Sequence, residues 1–69
     1  MTAEFKKPYY SDNQLDEAFS EWVKMYRWYY GEITAYWIRR QMKNIKQLSK
    51  AEKLSAIQEA TDNYYRRIV

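Results

Sequence analysis

Apolar side chains recur along this chain at steps of three and four residues, the period of a helix buried along one side. Leu15, Ala18, Phe19, Trp22, Tyr26 and Tyr29 form the first series and predict a helix over about 12–30. Ser11 and Gln14 have capping-box spacing, with Tyr10 and Leu15 at the staple positions, so the helix starts at Ser11 or Asp12. Asp12, Asp16, Glu17 and Glu21 crowd its first turns, where carboxylates face the positive end of the macrodipole. Gly31 ends it as a C′ residue. A second series, Ile38, Met42 and Ile45, widened by Trp37, Gln41 and Leu48, predicts a helix over 35–48. Thr34 is its N-cap, with Ile33 and Ile38 as the staple. A third series, Leu54, Ile57, Thr61, Tyr64, Tyr65 and Ile68, predicts a helix over 50–68, opened by the capping box Ser49–Glu52. Arg66 and Arg67 then complement its negative pole.

Strand signals are absent. Pro8 biases Lys7 away from helix, so residues 1–10 read as an arm, with Phe5, Tyr9 and Tyr10 available to pack onto the body. The expected architecture is all-α: a compact three-helix domain over 11–69 with a short extended N-terminal arm over 1–10.

Composition narrows the chemistry. A chain of 69 residues holds one small domain. Such a domain buries only about 60% of its unfolded surface and is marginal without staples. Cys and His are both absent, which removes disulfides, the usual zinc sets, the commonest general base and the most nucleophilic side chain. No enzyme activity, metal or cofactor is therefore expected. Asp12, Asp16 and Glu17 read as macrodipole partners on a solvated first turn rather than as a cation site. The single Gly leaves no phosphate-cradling loop. No apolar run approaches the roughly 18 residues of a membrane span, and no signal-peptide region follows the start. The expectation is a cytoplasmic chain with no membrane partner.

Charge and aromatic content are both uneven. Lys plus Arg number 12 against 9 Asp plus Glu, for a formal charge of +3. No acid falls between Ile33 and Ala51, a stretch that carries Arg39, Arg40, Lys43, Lys46 and Lys50. Arg39, Lys43, Lys46 and Lys50 follow i, i+4, i+7, i+11 spacing, so a continuous helix sets them on one face. That row can meet successive phosphates; an ordinary solvated face, pairing with the acidic start of helix 1, is the bland alternative. Eight Tyr, three Trp and two Phe make up 19% of the chain, and eight of them fall from Phe19 to Trp37. The consecutive Trp28, Tyr29 and Tyr30 spread over roughly 200° of helix and cannot all face inward. Exposed aromatics beside Arg27, Arg39 and Arg40 suit base stacking or a protein hot spot. Aromatic stems over the core with wet polar tips are the structural alternative.

Four segments stand in a characteristic order: Leu15-Asp16-Glu17-Ala18-Phe19 with Trp22-Val23-Lys24-Met25, then Ile33-Thr34 leading to Ile38. They continue with Met42-Lys43-Asn44-Ile45-Lys46-Gln47-Leu48-Ser49 and Leu54-Ser55-Ala56-Ile57-Gln58-Glu59-Ala60 with Asp62-Asn63-Tyr64-Tyr65. This series resembles the C-terminal helical module of phage replisome-organiser, or DnaD-like, replication initiation proteins. The chain differs in having Glu32-Ile33 before Thr34, Tyr64-Tyr65-Arg66-Arg67 near its end, and the aromatic run from Met25 to Tyr30. The resemblance implies a helical accessory module of DNA replication that binds DNA or loader and helicase proteins.

Two functions follow from these features. The first is a non-enzymatic nucleic-acid-binding module acting in phage DNA replication. Phosphates would meet Arg39, Arg40, Lys43, Lys46 and Lys50, with Arg27, Trp28, Tyr30 and Tyr36 around them. The second is a protein-interaction module using the same Tyr, Trp and Arg residues, as a homo-oligomeric adaptor or as an inhibitor docked on a host enzyme.

Overall fold

The computed structural model describes residues 8–68, which form three helices. The first, α1, spans Asn13–Tyr29. Its N-cap is Asp12, whose carboxylate accepts from the Leu15 amide at 3.1 Å. Asp12 thus takes the cap that the Ser11–Gln14 spacing also offered. Gly31, at φ 99, leaves the helix while its N–H donates to the Tyr26 carbonyl at 3.2 Å. No heavy atom lies within 4 Å of a Cβ built there, so the left-handed backbone alone calls for glycine.

The second helix, α2, spans Ala35–Asn44, with the Thr34 hydroxyl accepting from the Trp37 amide at 3.1 Å. It stops four residues before the periodicity predicts. Ile45, fully buried, is its C-cap, and a turn carries the chain on to Ser49. The third helix, α3, spans Lys50–Asp62 and opens with the expected capping box. Ser49 N–H donates to Glu52 Oε1 at 3.0 Å, and Glu52 N–H to Ser49 Oγ at 3.2 Å. The backbone bond holds the Glu52 carboxyl below its ordinary value.

α3 ends six residues before the predicted 68. Thr61 Oγ1 donates to the Ile57 carbonyl at 2.9 Å, and Asn63 Nδ2 to that of Glu59 at 2.8 Å. Tyr64 then takes a left-handed conformation, φ 57. Its N–H donates to the Thr61 carbonyl, and that of Tyr65 to Ala60, the two bonds of a Schellman motif. The chain turns away from the helix axis, and residues 63–68 become a tail.

The core holds Leu15, Phe19, Trp22, Val23, Met25 and Tyr26 from α1, Ile38 from α2, Ile45, Ile57 and Ala60 from α3, and Ile68 from the tail. Val23 and Met25 are buried beyond the predicted stripe, while Tyr29, Tyr64 and Tyr65, predicted on apolar faces, are exposed. α1 and α3 lie within 8 Å of each other by Cα distance; among the described residues α2 comes that near to neither. The tail fills the resulting gap. The radius of gyration, 11.2 Å, matches the roughly 11 Å expected for a compact chain of this length.

The arm expected over 1–10 falls mostly outside the described residues, Phe5 included. Tyr9 and Tyr10 lie against Phe19, with ring centroids at 5.1 and 5.7 Å. Asp16 Oδ1 accepts from the Tyr9 amide at 2.6 Å and the Tyr10 amide at 3.4 Å, so this carboxylate fastens the chain entering α1.

Candidate nucleic-acid interface

Arg39, Arg40 and Lys43 stand exposed on α2, on the side away from Ile38 and Gln41. Among the described residues no carboxylate pairs with them. Arg40 Nη1 donates to the Tyr36 hydroxyl at 3.1 Å, an i,i+4 contact on the outer surface. Lys46 is also exposed, but it sits in the turn after α2. The predicted row of four cations is therefore broken at Asn44, where the helix ends. Lys50 is displaced furthest from it. As the first residue of α3, its Nζ lies 2.8 Å from Asp12 Oδ2 and ties the starts of α1 and α3 together. That ammonium, followed by the Leu15 amide, holds the Asp12 carboxyl below its ordinary value.

The aromatics expected around this face are dispersed. Arg27 is exposed in the last turn of α1, where its charge complements the dipole. Trp28 is 85% exposed and lines a shallow hollow with Met25, Thr61, Asp62 and Tyr64, on the α3 side of α1. Tyr30 donates its hydroxyl hydrogen to the Tyr64 carbonyl, and its ring lies 5.2 Å from that of Tyr26. Trp28 and Tyr30 both lie against Tyr64, away from α2, and only Tyr36 joins the cations of α2.

Much of the aromatic and polar surplus grips the tail. Trp22 Nε1 donates to the Tyr65 carbonyl at 3.1 Å, and Trp37 Nε1 to that of Arg66 at 3.0 Å. The Ile68 N–H donates to Gln41 Oε1 at 2.8 Å. These side chains satisfy backbone groups of a tail that has no helix of its own. Gln41 is fully buried, and its Nε2 lacks a partner among the described residues. Arg66 Nε donates to the Tyr26 hydroxyl at 3.3 Å, which raises the guanidinium's already high pKa, and its Cζ lies 6.0 Å from the Tyr30 ring centroid.

This arrangement creates a groove absent from the sequence-based expectation. It is lined by Trp37 of α2, Ala56 and Glu59 of α3, and Tyr65, Arg66 and Arg67 of the tail. Trp37 is the i,i+3 neighbour of Arg40 on α2, so the groove adjoins the basic face. Reading α3 through to 68 assigned Arg66 and Arg67 to a helix pole and Tyr65 to its apolar stripe. The signal that contradicts this assignment is Asn63, a residue tolerant of helix ends, following directly on Asp62.

The described residues hold no group of three or more His, Cys, Asp or Glu placed to bind a metal ion. They contain no helix long and apolar enough to cross a membrane. Comparison with protein-family models, characterised proteins and solved structures finds no match to this chain.

Proposed function

We propose that this chain is a non-enzymatic, cytoplasmic nucleic-acid-binding module, and that α2 is the element that meets phosphate. The observation that carries this reading is the exposed set Arg39, Arg40 and Lys43, unpaired with any carboxylate among the described residues and extended by Lys46 in the following turn. Cations unpaired with a carboxylate give up no ion pair when a phosphate arrives, and the displaced counterions of the nucleic acid drive association. Lys50, engaged by Asp12, contributes less. The resemblance to phage replisome-organiser modules suggests DNA replication as the setting.

Titration of labelled DNA at several salt concentrations tests the proposal. With three to four phosphate contacts, log K should fall against log salt with a slope of about −3. Replacing Arg39, Arg40 and Lys43 by Ala together should reduce that slope on duplex DNA to about −1, the share of Lys46. Salt-independent binding, or no binding at 50 mM salt (an ionic strength with a Debye length of roughly 10 to 30 Å), refutes phosphate contact by α2.

One observation favours a protein partner instead. Trp28 is left 85% exposed beside Met25 and Tyr64, and exposed Trp is enriched in interface hot spots. Under that reading Trp28→Ala abolishes capture of a host or replication protein, or dissociates a homo-oligomer seen by light scattering, while helicity stays intact.

A further inference from the structure

The groove lined by Trp37, Tyr65, Arg66 and Arg67 lies beside α2 and outside its row of cations. We propose that it receives an unpaired nucleobase against Trp37 and Tyr65 while Arg67 and Arg66 hold the flanking phosphate, which makes the module selective for single strands. This inference rests on the nucleic-acid reading of α2 and deepens it.

Three features of the groove support it. Its lining combines two aromatic residues with two arginines and a single acidic residue, Glu59. Bases present a π-face whatever their identity, and their backbone is anionic, so the groove's composition complements both parts of a single strand. Second, the groove is built before any ligand arrives. Trp37 is fixed by its bond to the Arg66 carbonyl, and the Arg66 side chain by its bond to Tyr26. A preplaced indole and a preplaced cation reduce the ordering cost of binding. Third, the groove lies next to the Tyr36–Arg40 edge of the basic face. A strand following the cations of α2 can swing one base out of its stack and into the groove. A duplex keeps its bases paired inside and reaches only the cations. Glu59, exposed in the groove lining, can accept a hydrogen bond from a base N–H, such as N3–H of thymine.

The test compares an oligo(dT) strand with a duplex of equal length, each carrying the same fluorophore, by anisotropy at fixed low salt. The full chain should bind the single strand more tightly by roughly 5- to 150-fold, the value of one stacked base. Tyr65→Ala should remove most of that preference and leave duplex affinity within twofold. Its circular dichroism should be unchanged, because the tail's contacts at this residue run through the Tyr65 backbone. Arg67→Gln provides a variant outside the core. It should weaken single-strand binding severalfold and reduce the salt slope by about 1 for that ligand only. Equal affinity for strand and duplex, or a silent Tyr65→Ala together with a silent Arg67→Gln, overturns the groove proposal and leaves the α2 reading standing. Absence of binding to either ligand overturns both.

Discussion

α1 and α3 run with their backbones within 8 Å of each other, capped at their starts by Asp12 and by the Ser49–Glu52 box. α2 reaches neither helix so closely among the described residues, and is joined to α1 by side chains that hold a tail lying between them. The first half uses the ordinary device of two helices burying complementary apolar stripes. The second half uses indole, phenol and carboxamide groups as substitutes for secondary structure, with Ile68 as the apolar plug. The contrast shows how a chain of this size with 19% aromatic residues employs them: some are core, and several act as long hydrogen-bond donors with an apolar stem.

The comparison makes the largest prediction a matched pair. Ile57 of α3 and Ile68 of the tail are both fully buried. Ile57→Ala and Ile68→Ala should each cost about 2–5 kcal/mol in denaturant unfolding. For a domain this small that approaches the total stability. A cost near zero for Ile68→Ala alone would show that the tail lies on the core without completing it.

Gln41→Ala sharpens the same contrast. It leaves the Ile68 N–H without its acceptor in a buried site, so a loss of about 1–3 kcal/mol is expected. Native-state hydrogen exchange should then show faster exchange at Ile68 than at α1 amides. Trp37→Phe keeps an aromatic ring, though a smaller one, and deletes the bond to the Arg66 carbonyl. It should cost about 0.5–1.5 kcal/mol, read as a fall in melting temperature of several degrees.

The smallest effect belongs to the helix pair. The folded Asp12 carboxyl sits below its ordinary 3.8, so it binds a proton less readily than in the unfolded chain. Its stabilisation is therefore present above about pH 4 and is lost as the pH falls through the lower folded value. Asp12→Asn retains an N-cap acceptor but loses the Lys50 pair, and should remove this part of the acid limb in thermal melts from pH 5 to 2. Tail contacts should be unaffected.

The α1–α3 half was readable because its signals are local. Capping residues sit three apart, Gly31 needs no tertiary partner to favour a left-handed backbone, and Leu15, Phe19 and Trp22 fall in step with the helix. The candidate site was readable only in part. Arg39, Arg40, Lys43 and Tyr36 share α2 as their spacing required, whereas Lys46 and Lys50 kept the helical interval in sequence but lost the helix at Asn44. Trp37, Tyr65, Arg66 and Arg67 come together through a turn at Tyr64 that a non-glycine residue takes against its intrinsic preference.

Sequence alone determined the all-α class, three helices, their starts and the separation of acids from cations, because each follows from spacing within a few turns. Tertiary structure decided where α2 and α3 stop and what the aromatics do. Continuing α3 to 68 would have left the gap between α1 and α2 unfilled. Ile68 fills it instead, and Trp22, Trp37 and Gln41 pair backbone groups of the tail in place of helical bonds.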